Sequence, residues 1–421
     1  MKKQKVLLTY IESGMGHIMS MSAIADGLKE KYGDDLEILE SYIMSDDKEA
    51  GKFEKFIMDC VKSTNKNKAL GMGIFALLEI LGGQHFMRLV HKTLFRRATD
   101  ATVEAMRRYN PDIIVSTHYF ITYAAIELKR KYMPDLTVIT YNPDNNVHVW
   151  WDSRTDLFIN NNACATEEAV QKRGFDPKTT HTVFFSARKE VAAANQSKEY
   201  YREKYNLPKD KFTIMIADGA YASAKSKKIC DRLLSLDFPL TIIILAGKNQ
   251  KVYRYFEEKS RSVSKNITLV PVEFTPLAYE YYGASDVFVS KAGPNATLDS
   301  LFMGTPVIFD FYAQPMEKAT AKLFSEKLGC GISAFSTEKV VKTVKELYRH
   351  PERLEALKKN IAINVNREKN GIFQIADIIM HEARKKSEAN AETETETETA
   401  IGSETATLTA HETEVRSKAE A

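Results

Sequence analysis

The sequence predicts an α/β protein built as two doubly wound parallel lobes. Three observations carry this. Short apolar strands alternate with helical stretches from Lys5 to Phe309. Twice, over 5–31 and 287–303, a strand runs into a glycine turn and on into a helix. The 421 residues exceed one ordinary domain and suit two of about 180 each.

Taken in order, Lys5–Tyr10 is the first strand, Gly14-Met15-Gly16-His17 the turn and Ile18–Lys31 a helix. The spacing is not GxGxxG, so a dinucleotide fold is not favoured. Glu37–Tyr42 is a strand, and Ser45-Asp46-Asp47 reads as a solvated loop rather than a metal pair. Asp112–Ser116 is a strand ending at Thr117-His118, followed by a helix at Tyr123–Lys131. Leu136–Tyr141 is a strand ending in Asn142–Trp151, Asp156–Asn160 is another, and Ala165–Arg173 is a helix. Ligands of such sheets gather at the carboxyl ends of strands, which is where His118, Asp144, His148 and Trp151 fall.

Ala187–Lys198 is small, polar and charged, so it reads as the linker between a first lobe at 1–187 and a second at 188–371. In the second lobe Phe212–Ile216 precedes Asp218-Gly219, Leu240–Leu245 precedes Gly247-Lys248-Asn249, and Ile267–Pro271 precedes Glu273-Phe274. Val287–Val289 runs into Lys291-Ala292-Gly293-Pro294-Asn295, then a helix at Thr297–Met303 closed by Gly304, then a strand at Pro306–Phe309. An amphipathic helix at 372–386 is expected to cross back onto the first lobe.

Charge is unevenly spread. The stretch 387–421 holds nine Glu against Arg416 and Lys418, or −7, so the net +3 leaves +10 on residues 1–386. Its Glu-Thr repeat has no aromatic residue and cannot bury a core, so 387–421 is expected to be a disordered acidic tail. The basic remainder suits a nucleotide, an anionic membrane surface, or both; no nucleic-acid partner is expected. Over 52–97 nine Lys and Arg face three acids, around an apolar run at Leu70–Leu81. That pattern reads as an interfacial helix pair docking on an anionic membrane. No apolar run approaches the roughly 20 residues needed to span a bilayer, and no leader is expected at the N-terminus. The four cysteines are isolated, so free thiols in a reducing cytosol are expected and a metal is not.

The motif K-A-G-P-x-x-x-x-[DE]-x-x-x-x-G-x-P-x-I, over Lys291–Ile308, resembles the donor-nucleotide signature of the family 28 glycosyltransferases, in particular the diacylglycerol glucosyl- and galactosyltransferase group. The resemblance covers nearly all of 5–385. It implies a GT-B architecture, two Rossmann-like lobes with a cleft between them, and inverting transfer of a hexose (glucose or galactose) from a UDP-sugar to a membrane lipid hydroxyl, diacylglycerol foremost. It implies Gly293, Pro294, Asn295 and Thr297 at the diphosphate, and Asp299, where the family usually has Glu, at the ribose. Gly14 and Gly16 match the family's N-terminal loop, Gly219 its first C-terminal loop, Lys248 its C-G-K-N segment and Phe274 its uracil-reading strand end. Gln314 and Glu317 match its sugar contacts, although Lys318 stands where the family has Asn. His17 is then the first candidate for the catalytic base and Asp144 the rival, with His118, His148 and Trp151 on the acceptor side. The enzyme would need no metal and would sit in the cytoplasm, peripheral on the cytoplasmic membrane face. Alternatives are GlcNAc transfer of the lipid II type and a non-catalytic nucleotide-sugar-binding protein at the membrane.

Overall fold

Two six-stranded, all-parallel sheets form the framework, and the strand order in each reverses at one point. The computed structural model of the chain describes residues 3–11, 15–44, 47–66, 68–218 and 222–391. The first lobe contains β1 (Gln4–Thr9), α1 (Met15–Tyr32), β2 (Leu36–Ser41), α2 (Lys48–Lys66), α3 (Lys68–Ile80), α4 (Gln84–Lys92), α5 (Arg96–Tyr109), β3 (Ile113–Ser116), α6 (Tyr119–Lys131), β4 (Thr137–Asn142), β5 (Leu157–Asn160), α7 (Ala163–Arg173) and β6 (Thr180–Thr182). Its order is β2-β1-β3-β4-β5-β6, so the reversal falls between β1 and β3.

The second lobe begins with α8 (Lys189–Ala193) and α9 (Lys198–Lys204). It continues through β7 (Phe212–Ile216), α10 (Ala224–Leu233), β8 (Leu240–Gly247), α11 (Gln250–Ser260), β9 (Ile267–Glu273), α12 (Ala278–Ala284), β10 (Val287–Lys291), α13 (Pro294–Phe302), β11 (Val307–Phe311) and α14 (Pro315–Lys322). After β12 (Gly331–Ser333) come α15 (Thr337–Arg349) and α16 (Pro351–Asn364), and a last helix, α17, spans 371–391. The order β12-β11-β10-β7-β8-β9 reverses between β7 and β10.

Strands covered on both faces should be apolar throughout, and Leu240–Gly247 is buried at every position. In β1 the period-two alternation sends Val6 and Leu8 to one face and Leu7 to the other. Val6 and Leu8 pack with α1 and with Ile372, Ile375, Ala376, Ile379, Met380 and Ala383 of α17, so the last helix completes the core of the first lobe. Where the chain crosses between lobes its two passes lie side by side. Asn370 exchanges hydrogen bonds with the backbone of Ala187, and the Gly371 N–H donates to the Phe185 carbonyl at 3.1 Å. A Cβ on Gly371 would lie 1.9 Å from the Phe184 oxygen, so only glycine fits that approach.

Three expectations need correction. The region 52–97 is not a helix pair but α2, α3, α4 and the start of α5, with α3 and α4 bent by 95° at Gly82-Gly83, both in the left-handed region. Among the described residues no single helix is long and apolar enough to cross a membrane. The expected linker carries α8, because Val191 is fully buried and draws that turn onto the second core. Residues 387–391, expected to be disordered, continue α17; Glu388, Ala389 and Ala391 are good helix formers. The Glu-Thr repeat itself lies outside the described residues.

Candidate functional site

The reversal points of the two sheets face each other. At the first, β1 and β3 deliver His17 and His118. His17 Nδ1 lies 2.6 Å from the Thr117 carbonyl oxygen, and the two imidazoles meet edge to face at 4.8 Å. A carbonyl only accepts, so Nδ1 carries the proton and the lone pair sits on Nε2. His118 has the opposite tautomer: it caps α6, and its Nδ1 accepts from the Phe120 N–H at 3.2 Å. His148 matches His118, with Nδ1 accepting from the Trp150 N–H at 3.3 Å and Nε2 turned to Asp144 Oδ2 at 3.6 Å. Of the three rings, His17 alone presents a basic nitrogen not engaged by the backbone. Burial lowers its pKa, with Asp144 and the Thr117 carbonyl pulling the other way. His118 is driven well below the usual histidine range by burial and by the other imidazoles. Both rings are therefore neutral near pH 7.

At the second reversal point, β10 ends in Lys291 and α13 begins at Pro294. Gly293 is the N-cap and has no side chain to offer, so the first-turn N–H groups are left for another acceptor. Neither its φ of −74° nor its packing demands glycine: an added Cβ would meet only Lys291 Cε at 4.0 Å. Its smallness serves to keep the space over the helix start clear. Lys291 Nζ bonds Glu317 Oε1 at 2.8 Å, while Glu317 Oε2 accepts from the Ala313 N–H at 2.6 Å. Burial pulls the Lys291 ammonium down, but Glu317 overrides it and keeps it charged. Lys225, in the first turn of α10, donates to the Asp310 carbonyl and lies 3.6 Å from its carboxylate. Burial and neighbouring Asp218 push Asp310 up to about 7 against that pull.

Asp299 is buried on α13 and bonds Arg188 of the crossing segment at 2.8 Å. Burial raises its carboxyl, and Arg188 pulls part of that shift back. Lys248 lies over the exposed ring of Phe274, 5.2 Å from its centroid, at the outer end of β9. Gln314 holds the N-cap position of α14, at the cleft end of β11, without a capping bond from its side chain.

The lobes touch. Asn295 Nδ2 donates to the Gly16 carbonyl at 3.1 Å, and Asn145 Nδ2 donates to Thr320 Oγ1 at 3.0 Å. Buried polar atoms are normally matched. Of fifteen unpartnered ones among the described residues, six, Arg188 Nε, Asn145 Oδ1, Thr297 Oγ1, Ser290 Oγ, Thr9 Oγ1 and Asp310 Oδ1, sit on the cleft-side ends of strands, on α13 or on the crossing. Unmatched groups gathered where two sheets point at one space fit a polar ligand there.

The sequence expectations divide accordingly. His17, His118, His148 and Asp144 come together at one reversal point, and Gly293, Pro294, Asn295, Thr297, Asp299, Gln314 and Glu317 at the other, with Gly16 bridging. Glu317 braces Lys291, with Oε1 on that ammonium and Oε2 on the Ala313 N–H. Trp151 is 1% exposed and packs between Phe158 in the core and the His148 ring, 5.5 Å away, while Trp150 stacks on Phe75 at 5.2 Å. Gly14 and Gly219 lie outside the described residues. Sequence reasoning missed Arg188, Lys225 and Asp310. A lone arginine inside a segment read as linker was the one available signal for the first. Among the described residues no group of three or more His, Cys, Asp or Glu has metal-binding spacing.

Residues 222–375 match the glycosyltransferase family 28 C-terminal domain. The chain is 27% identical over 270 residues to a processive diacylglycerol beta-glucosyltransferase of Bacillus pumilus, covering 61% of this chain and 66% of that protein. It is 21% identical over 402 residues to monogalactosyldiacylglycerol synthase 1 of Arabidopsis thaliana, covering 92% and 72%. Among solved structures it resembles MurG of Acinetobacter baumannii, with a TM-score of 0.60 at 13% identity over 90% of this chain and 99% of that one. It also resembles the UDP-GlcNAc 2-epimerase of Neisseria meningitidis bound to UDP-GlcNAc, with a TM-score of 0.52 at 14% identity over 91% and 100%. The fold is GT-B.

Proposed function

We propose, from the match of residues 222–375 to the glycosyltransferase family 28 C-terminal domain, that this chain is an inverting glycosyltransferase moving a hexose from a UDP-sugar to the hydroxyl of diacylglycerol at a membrane surface. The observation that carries the reading is the free Nε2 lone pair of His17, held opposite the uncapped start of α13 by the Asn295–Gly16 bond.

The geometry supports the following roles. The UDP diphosphate rests on the first turn of α13, whose N–H groups and dipole favour negative charge. Asp299 and Arg188 stand beside it for the ribose, and Lys291 adds a fixed positive charge. The acceptor hydroxyl lies against His17. His17 Nε2 takes its proton as the oxygen bonds to the anomeric carbon, and the bond to the diphosphate oxygen breaks on the opposite face. The electron pair leaves on UDP, where α13 and Lys291 stabilise it. His148 and Asp144 hold the aromatic wall behind His17.

For a lipid acceptor, support comes from the names of the curated relatives and from the apolar side chains that the α3–α5 region leaves in solvent, Ile80 at 81% and Leu94 at 77% exposed among them. The protein then works as a peripheral protein on the cytoplasmic face, where UDP-sugars meet the bilayer. UDP release is the test, with UDP-glucose, UDP-galactose and UDP-GlcNAc offered in parallel on diacylglycerol vesicles. Release with either hexose supports the reading, and a UDP-GlcNAc preference moves it to the lipid II type. Binding of UDP with no turnover of any donor leaves a nucleotide-sugar-binding protein.

A further inference from the structure

In the pairing of β10 with β11, Ser290 faces Phe309 and Lys291 faces Phe311, so Asp310 is one residue too many for the ladder and forms a β-bulge. Bulges are rare between parallel strands, and beside active sites they re-aim a side chain. Asp310 Oδ1 has no hydrogen-bond partner although the residue is 1% exposed, and Ser290 Oγ on the neighbouring strand is in the same condition. Alternation along β11 would place Asp310 with Ile308, in the apolar layer beneath α10. Its charged neighbours are instead Asp218, Lys225 and Lys291, the groups at the strand ends. None of the roles given above uses it.

We propose that Asp310 accepts a hydrogen bond from a hydroxyl of the donor's hexose and so selects the sugar that is transferred. This rests on the transferase reading and adds the residue that reads the sugar. A UDP-sugar is a linear molecule of base, ribose, diphosphate and hexose. The strand order β12-β11-β10-β7-β8-β9 puts Phe274 at the β9 edge and the uncapped start of α13 behind β10. With the base toward β9 and the diphosphate on α13, the hexose continues past β10 and meets β11 at its bulge.

The chemistry of the oxygen names the class of ligand. A carboxylate oxygen accepts, so its missing partner is a donor. A sugar acid would bring a further negative charge toward Asp310 and Asp218, and repulsion disfavours it. A neutral hexose brings hydroxyls. Asp310 Oδ2 is the oxygen that faces Lys225, at 3.6 Å, and the same ammonium donates to the Asp310 carbonyl. Oδ1 is therefore the oxygen left for the sugar. Lys225 lies over the carboxylate with 27% of its side chain in solvent, so it is a cover that a sugar pushes aside. A site built to pair a substrate hydroxyl rejects the analogue without it, because the buried partner is then left unmatched.

The test is calorimetry on the whole protein, without acceptor, using UDP, UDP-glucose, UDP-galactose and the deoxy analogues of whichever hexose binds more tightly. Asp310→Ala should weaken binding of that UDP-hexose about ten- to a hundredfold, the worth of a hydrogen bond to a charged group, and leave UDP binding unchanged. Asp310→Asn, which keeps the shape, should lose part of the same factor, and the UDP affinity of each variant reports that it folds. One deoxy analogue should bind the wild type as weakly as the parent sugar binds Asp310→Ala, and should lose little more in that variant. UDP-hexose affinity unchanged in both variants, UDP affinity lost in both to the same extent, or a wild type that binds every deoxy analogue like the parent overturns the proposal. Binding does not depend on turnover. A protein that shows this pattern and transfers no sugar keeps Asp310 at the hexose and loses the transferase reading, and sugar transfer without the pattern does the reverse.

Discussion

The side-chain amide of Asn295 donates to the backbone oxygen of Gly16 at 3.1 Å, joining the start of α13 to the glycine turn of the other lobe. That side chain spans the cleft. Asn295→Ala should lower kcat about two- to tenfold, the worth of one net hydrogen bond, and leave UDP affinity unchanged. A drop in UDP affinity by calorimetry would make Asn295 a donor contact instead.

Asp299 and Arg188 form a pair in which each is largely buried. With Asp299 at the ribose, Asp299→Ala should weaken UDP binding by about 1.5–3 kcal/mol. It also leaves Arg188 without its counter-ion, so the melting temperature should fall, and Arg188→Met in the same chain should restore much of it. Unchanged UDP affinity would remove Asp299 from the donor site.

The lowered pKa of His17 fixes the sign of a pH profile. An imidazole whose pKa is depressed stays neutral, and able to accept a proton, further into acid than an ordinary histidine. Turnover should therefore hold its plateau below pH 6.5 and fall only as pH drops through the lowered value. His17→Ala should cost roughly 10²–10⁴ in kcat. Near-normal turnover would pass the role to Asp144.

Asp310 runs opposite to the usual carboxylate. Its pKa is raised from 3.8 in the unfolded chain to about 7 in the fold, so the folded state binds the proton more tightly. Stability is therefore lost as pH rises between those values, by at most about 4 kcal/mol once above both. Asp310→Asn should stabilise the protein against urea at pH 8 and change little at pH 4. An equal effect at both pH values would show that the carboxyl is not strained by ionisation.

Membrane attachment should depend on Ile80 and Leu94, the most exposed apolar side chains of the α3–α5 region. Aspartate at either position should leave the protein in the supernatant when anionic vesicles are sedimented. Replacing Lys92, Arg96 and Arg97 by Gln should weaken binding by about 1 kcal/mol per charge. Added salt should weaken the wild type likewise. Arg88 does not belong to this set: its guanidinium bonds Asp152 at 2.8 Å as well as Gln84 and Ser153, so Arg88→Gln acts on stability.

The central strands were legible because each is a short apolar run that ends in Gly, Pro or a polar tip. The outer strands Thr180–Thr182 and Gly331–Ser333 were not, since three residues at a sheet edge carry no hydrophobic pattern. The glycine turns pointed to both reversal points, because backbone that approaches a ligand leaves its mark on composition. Tautomers left none: that His17 rather than His118 keeps a free lone pair depends on where Thr117 O and Phe120 N sit, across 100 residues of chain in the first case. Trp150 and Trp151 are adjacent and both flank His148, but Trp150 stacks on Phe75 and Trp151 reaches Phe158 in the core, which their identities could not tell. Arg188 was hidden by a segment whose small, charged residues suggested a passive tether.

The helix at 371–391 belongs to the first lobe although the chain reaches it last. During synthesis Val6, Leu8, Ile24 and Leu28 lack their cover until the whole second lobe has been made. The first half to leave the ribosome is thus the second half to finish folding. Through that interval the nascent chain carries an open apolar seam, the kind of surface that chaperones hold. A chain cut short before 371 would leave the seam open, and the fully formed sugar-nucleotide lobe could not close it.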